Sequence, residues 1–348
     1  MRIQTSISSL LVVTVLTAAC GGQAVREHAG AGKTSAEPLV WPKPPRSARV
    51  RFIGAVARPA DLGIKPSFWK RLGKLLHGAE PDWFIRPGGV AALGNKIYVA
   101  DPGAQALWVL DTQQGRFQRV QKAGRQRLVS PVAVTPGRNG SVYLADSYLA
   151  KVFVYQADGT LHLIVSDKKL QRPAGLAYDA AKDRLYVADS AAHRIRIFDG
   201  QGKPVGALGG RGTAKGRFNF PTHVAVDRKG MLYVTDAMGF RIQMFGPDGG
   251  FLSTFGRHGN ASGDFAAPKG VASDSAGHVY VVDALFDAVQ IFDRSGRLLL
   301  SFGERGLGPA QFWLPGGLYI DEQDRIYVAD AYNQRIQIFE YLGGGGDD

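Results

Sequence analysis

The sequence predicts an all-β chain, a six-bladed β-propeller closed by a strand from its own N-terminal side. Three observations carry that prediction. A unit of the Tyr-Val-Ala-Asp type recurs as Ile97–Asp101, Val142–Asp146, Leu185–Asp189, Leu232–Asp236, Val279–Asp283 and Ile326–Asp330, its aspartates 45, 43, 47, 47 and 47 residues apart. Glycine supplies 45 of 348 residues, nearly double the usual ~7%, and is scattered among Val, Ile, Tyr and Phe, as in short strands joined by tight turns. Most copies hold four alternating runs, and four short strands per roughly 45 residues is the size of one blade.

In chain order, the first element is a leader. MRIQTSISSLLVVTVLTAAC places Arg2 before an apolar stretch and small residues, which reads as a signal peptide over residues 1–19 and is too short to span a bilayer. Cys20, the single cysteine, follows Leu16-Thr17-Ala18-Ala19. This resembles the bacterial lipobox, which implies lipidation (palmitate) at Cys20, and Gly21 after it implies the outer membrane. The expected location is thus the bacterial cell envelope, periplasmic or surface-facing, with the membrane as a partner through the lipid anchor.

Residues 20–47 read as a tether, flexible first and then stiffened into polyproline II by Trp41-Pro42-Lys43-Pro44-Pro45. The net charge is +12, and residues 21–85 alone carry eleven Lys/Arg against five Asp/Glu. A basic segment beside a lipid anchor favours anionic lipid as its partner, and with no nucleic-acid motif visible a nucleic-acid partner is excluded.

The propeller is expected over residues 48–342, with a helical insertion at 66–78. In the insertion Phe68, Trp69, Leu72, Leu75 and Leu76 fall on one side and Lys70, Arg71, Lys74 and His77 on the other, between Ser67 and Gly78. It either covers the propeller's side or lies on a membrane surface. Upstream of each repeat aspartate stands a proline (Pro87, Pro131, Pro173, Pro221, Pro268, Pro315) that opens a short apolar run. The last copy lacks a fourth run, and Arg49–Val56 is the candidate to fill it at the outer edge of blade six. Residues 343–348 read as a flexible tail.

The copies resemble NHL repeats. Gly317-Leu318-Tyr319-Ile320-Asp321, Tyr327-Val328-Ala329-Asp330 and Asn333 through Phe339 follow that family's consensus closely. The resemblance covers about residues 86–341 and implies the propeller fold; it says little about function, since such folds include scaffolds, ubiquitin-ligase modules and a few enzymes.

Three groups of side chains are candidates for chemistry. The six aspartates either form a cation ring or cap the turns that follow them, and Arg194, Arg241 and Arg335, five residues on, are placed to pair with them. Two residues after each proline come Gly89, Ala133, Gly175, His223, Gly270 and Gly317, small where backbones crowd an axis except at His223. Thr222, His223 and Lys269 are thus ligand-binding candidates for an anion or a peptide carboxylate, unless His223 is merely hydrogen-bonded and Lys269 solvated. Arg211, His258 and Arg305 share one offset in three long connectors, beside Phe218, Phe265 and Phe312. They form a cationic and aromatic rim for protein or glycan recognition, or the phenylalanines pack between blades.

No paired carboxylates, Ser-His-Asp order or phosphate loop can be placed. Of the seven histidines only His223 is axial, so no catalytic residue, metal or cofactor is assigned. The expected function is a non-catalytic outer-membrane scaffold that binds a protein, peptide or glycan through propeller loops. The alternative is a propeller enzyme, a lyase or hydrolase, with its site at the channel mouth.

Overall fold

The computed structural model describes residues 37–64 and 82–343. The expected signal peptide, Cys20, the tether before residue 37, the insertion helix 66–78 and the tail after Gly343 lie outside the described residues. Among the described residues no helix is long and apolar enough to cross a membrane.

Six antiparallel sheets form a six-bladed β-propeller. Their innermost strands neighbour one another in a closed cycle, blade one touching blades two and six. Blade four is typical: Pro221–Val226, Leu232–Asp236, Arg241–Phe245 and Phe251–Phe255 pair in chain order from the axis outward. The second strand of each blade is buried on both faces, which explains why its sequence reads as a continuous apolar run ending in Asp. One apolar cluster joins Ala177, Tyr186 and Ile195 of blade three to Val224, Val234 and Phe245 of blade four. The core therefore lies between blades, and no blade is stable alone.

Blade six has five strands. Leu318–Ile320, Arg325–Asp330 and Arg335–Tyr341 come from the chain's end, and Val50–Val56 pairs antiparallel with the last of them, Val50 opposite Tyr341 and Val56 opposite Ile336. Val40–Trp41 adds a fifth strand outside Val50–Val56. This differs from a tether running to residue 47. The Trp41 ring sits 5.8 Å from Phe302 and 6.1 Å from Phe339. Burying an indole against two phenyl rings outweighs leaving those residues extended in solvent.

Strand alternation gives the ring two distinct faces. Turns between second and third strands, and connectors between blades, lie on the face where the repeat aspartates end their strands; we call this the ladder face. Turns between first and second strands lie on the far face.

On the far face, Asp274 of blade five holds His278 Nδ1 at 2.7 Å, beside the Tyr341 ring of blade six. That hydrogen bond raises the His278 imidazole above its ordinary 6.5, against the opposing effect of burial. A raised imidazole stabilises the fold fully below the unfolded-state value, and the contribution disappears as pH rises through the folded one. His278→Gln is therefore expected to lower stability by up to about 1 kcal/mol near pH 5.5 and negligibly near pH 8.5. Urea unfolding at both pH values checks this, and an equal loss at both would refute it.

Candidate functional site

The ladder carboxylates are built into the backbone. All six aspartates have no solvent exposure. Asp146 accepts from the Val129 N–H at 2.7 Å and the Ser130 N–H at 3.1 Å, both in the preceding connector, and from Tyr148 and Leu149 at 3.2 and 3.1 Å in the following turn. Asp283 does the same with Ala266, Ala267, Leu285 and Phe286. Asp101 and Asp189 likewise cap the following turn and hold the segment that enters their blade, whereas Asp236 and Asp330 hold the connector through the Asn219 and Trp313 N–H and give their other oxygen to arginine and glutamine side chains; stapling the connector is a second role that sequence spacing did not reveal. Among the described residues no group of three or more His, Cys, Asp or Glu could hold a metal ion.

Arg241 and Arg335 pair with Asp236 and Asp330 at 2.8 Å. Arg194 differs: its Nε is buried with no hydrogen-bond partner. The connectors of the last three blades are clamped again by buried glutamines. Gln243 accepts from the Gly216 N–H and donates to the Arg217 carbonyl, and Gln290 and Gln337 repeat the arrangement. In blade three the equivalent residue is Arg196, which forms a buried ion pair with Asp167.

At the axis the small residues follow from close approach. The Gly317 N–H donates to the Gly88 carbonyl of blade one at 2.9 Å, and a Cβ on Gly317 would lie 2.5 Å from that oxygen. This leaves a narrow cavity of about 40 Å³ beside Gly89, Ala133, Gly175, Gly317 and His223. The structure brings the axial candidates together here. His223 Nδ1 lies 3.1 Å from Thr222 Oγ1. Burial, reinforced by the Lys269 charge, pushes the His223 imidazole down to about 3. It is neutral at physiological pH, so Lys269 is the cationic member of the group.

The rim candidates keep a common register, since Arg211, His258 and Arg305 each form an isolated bridge with Phe218, Phe265 and Phe312. All three basic residues are exposed, and His258 stacks 4.3 Å from Phe240. Phe218, Phe265 and Phe312 are fully buried between blades. An aromatic rim built from those three rings is therefore corrected: the connector folds them inward because each fills the seam beneath it.

Different apolar residues are exposed on this face. Met238, Leu285 (63% exposed) and Tyr332 stand at the same turn position, two residues after their ladder aspartates, with Tyr148 (76%) on blade two. Connector residues Phe220, Leu307 (71%) and Trp313 join them, and the Trp313 and Tyr332 rings are 5.7 Å apart. The sequence signal was available in the repeat alignment, where Tyr148, Met238, Leu285 and Tyr332 occupy a turn position that packing does not require to be apolar.

Comparison with known proteins agrees with this architecture. The family model for the NHL repeat matches residues 170–198 and 312–339. No curated protein matches by sequence. A Bacteroides thetaiotaomicron protein of unknown function superposes with a TM-score of 0.59 at 18% identity, over 74% of this chain and 70% of that one. Virginiamycin B lyase from Staphylococcus aureus gives 0.57 at 13% identity, over 74% and 96%. An auxiliary nutrient binding protein from Bacteroides thetaiotaomicron gives 0.57 at 13%, over 75% and 70%. At these identities the likeness shows a shared fold and nothing of function.

Proposed function

We propose that this chain, which carries NHL repeats in a six-bladed β-propeller, is a non-catalytic lipoprotein, exported by its leader, anchored to the outer membrane through Cys20, and binding a protein, peptide or other envelope component through its ladder face. The observation that carries this reading is the exposed group Met238, Leu285, Leu307, Trp313 and Tyr332. It lies on a face whose carboxylates are all occupied by the protein's own donors. Apolar and aromatic side chains held outward by a rigid scaffold mark an interaction surface.

An enzyme with its site at the channel mouth is the rival reading. Its one axial histidine, held near 3, is a weak base at neutral pH. The lyase likeness extends to the fold alone.

The test places a photocrosslinking amino acid at Tyr332 in the lipidated protein within its own envelope. A discrete adduct is expected, lost on Trp313→Ala and absent when the probe replaces Ile53 on the outer edge of blade six. No adduct, or the same adduct from both positions, would overturn the reading.

A further inference from the structure

Charge is as unevenly distributed on the ladder face as apolar surface is. The connectors 121–130, 166–172 and 210–220, which enter blades two, three and four, hold nine Lys and Arg and one carboxylate. That carboxylate, Asp167, is consumed by Arg196. Lys122, Lys168, Lys169, Arg172, Arg211 and Lys215 are all exposed. Residues 86–348 as a whole carry only +5, so the fold gathers its positive charge onto one side of one face. The exposed Met238, Leu285, Leu307, Trp313 and Tyr332 occupy the other side of that face, on blades four to six, while Tyr148 and Phe220 stand among the basic connectors.

From this division we infer that the envelope component bound by the ladder face is an anionic bilayer surface, the basic connectors resting on phosphate headgroups and the apolar turns entering the interface. The inference rests on the proposed use of this face and narrows its partner.

Two further observations favour a bilayer. Trp, Tyr, Leu and Met at the tips of adjacent turns are the side chains that enter the headgroup boundary, and basic residues beside them supply the attraction to anionic lipid. A polyanionic glycan would use the basic half only. The anchor can also reach this side: Val50–Val56 runs from the far face toward the ladder face, and Val40–Trp41 runs opposite to it beside its far-face end. The 17 residues from Cys20 to Glu37 reach at most about 60 Å when extended, so a lipid on Cys20 and the ladder face can meet one membrane.

The test uses the full chain carrying Cys20→Ala, which has no acyl chain, and vesicles of phosphatidylcholine with or without about one-third phosphatidylglycerol. Binding is expected to be stronger to the anionic vesicles and to weaken as salt rises, because the Debye length falls from about 10 Å at 0.1 M toward about 3 Å at 1 M. The triple variant Lys168→Gln, Lys169→Gln, Arg172→Gln is expected to bind anionic vesicles about 100-fold more weakly, at about fivefold per charge. An equal charge change on the far face, Lys203→Gln, Arg228→Gln, Lys229→Gln, is expected to alter binding less than about twofold, being more than a Debye length away. Trp313→Ala with Tyr332→Ala is expected to weaken binding by a factor that salt does not change.

Equal losses from the two triple variants, or no loss from the ladder-face one, would overturn the inference. If vesicle binding fails while the Tyr332 probe still captures a protein, the bilayer inference alone falls. If both fail, the proposed use of the ladder face falls with it.

Discussion

Replacing Val50 with Asp is expected to abolish the cooperative fold, while Ile53→Asp, three residues on, changes stability by no more than about 0.5 kcal/mol. Val50 is fully buried and belongs to the cluster containing Val289, Phe302, Phe312 and Phe339. Ile53 is 50% exposed on the opposite side of the same strand. Burying a carboxylate without a partner costs several kcal/mol, and a native domain has only about 5–15 kcal/mol to lose. The effect is amplified by position, because Val50–Val56 pairs the N-terminal side of the ring with its last C-terminal strand. Opening that pairing would expose both the last strand and the Phe52–Phe339 ring contact at 5.4 Å. Circular dichroism and urea unfolding measure both variants. Equal, small effects would mean that the strand contributes nothing to closure.

Asp146→Ala is expected to cost about 3–5 kcal/mol, since it leaves four backbone N–H groups without their acceptor and each buried unsatisfied donor costs about 1–3 kcal/mol, reduced where water can enter. Asp146→Asn should recover part of the loss, because one amide oxygen still accepts. Tyr148→Ala, in the same turn but 76% exposed, serves as the control and should stay within about 0.5 kcal/mol. Hydrogen exchange at Val129 and Ser130 gives a local readout: faster exchange there in the Ala variant is the signature of a released connector. Unchanged exchange with unchanged stability would show that the carboxylate is not the staple.

Much of this was legible in the sequence because a repeat reports the same physical demand six times. The prolines, the axial small residues and the terminal aspartates each recur because every blade must start, crowd and turn in the same way. His223 stood out only because five equivalents were Gly or Ala, and the structure places Thr222 and Lys269 beside it. The phenylalanines of the connectors were ambiguous, because an aromatic residue at fixed spacing reads alike whether it points outward or into a seam. Val40–Trp41 was misassigned to the tether for a related reason: a two-residue strand has no period to detect, and Trp41 is held by Phe302 and Phe339, which lie far away in the chain.

By itself the sequence determined the blade count, the class of fold and the repeat register, all of which depend on local pattern and spacing. Tertiary structure alone decided which side of the ring each loop occupies. That is where three basic connectors and a group of turn-tip apolar residues, spread over some two hundred positions, come to share one surface. Charge and exposure on a face are properties of proximity in space, and antiparallel strands reverse direction too often for proximity to be read from order along the chain.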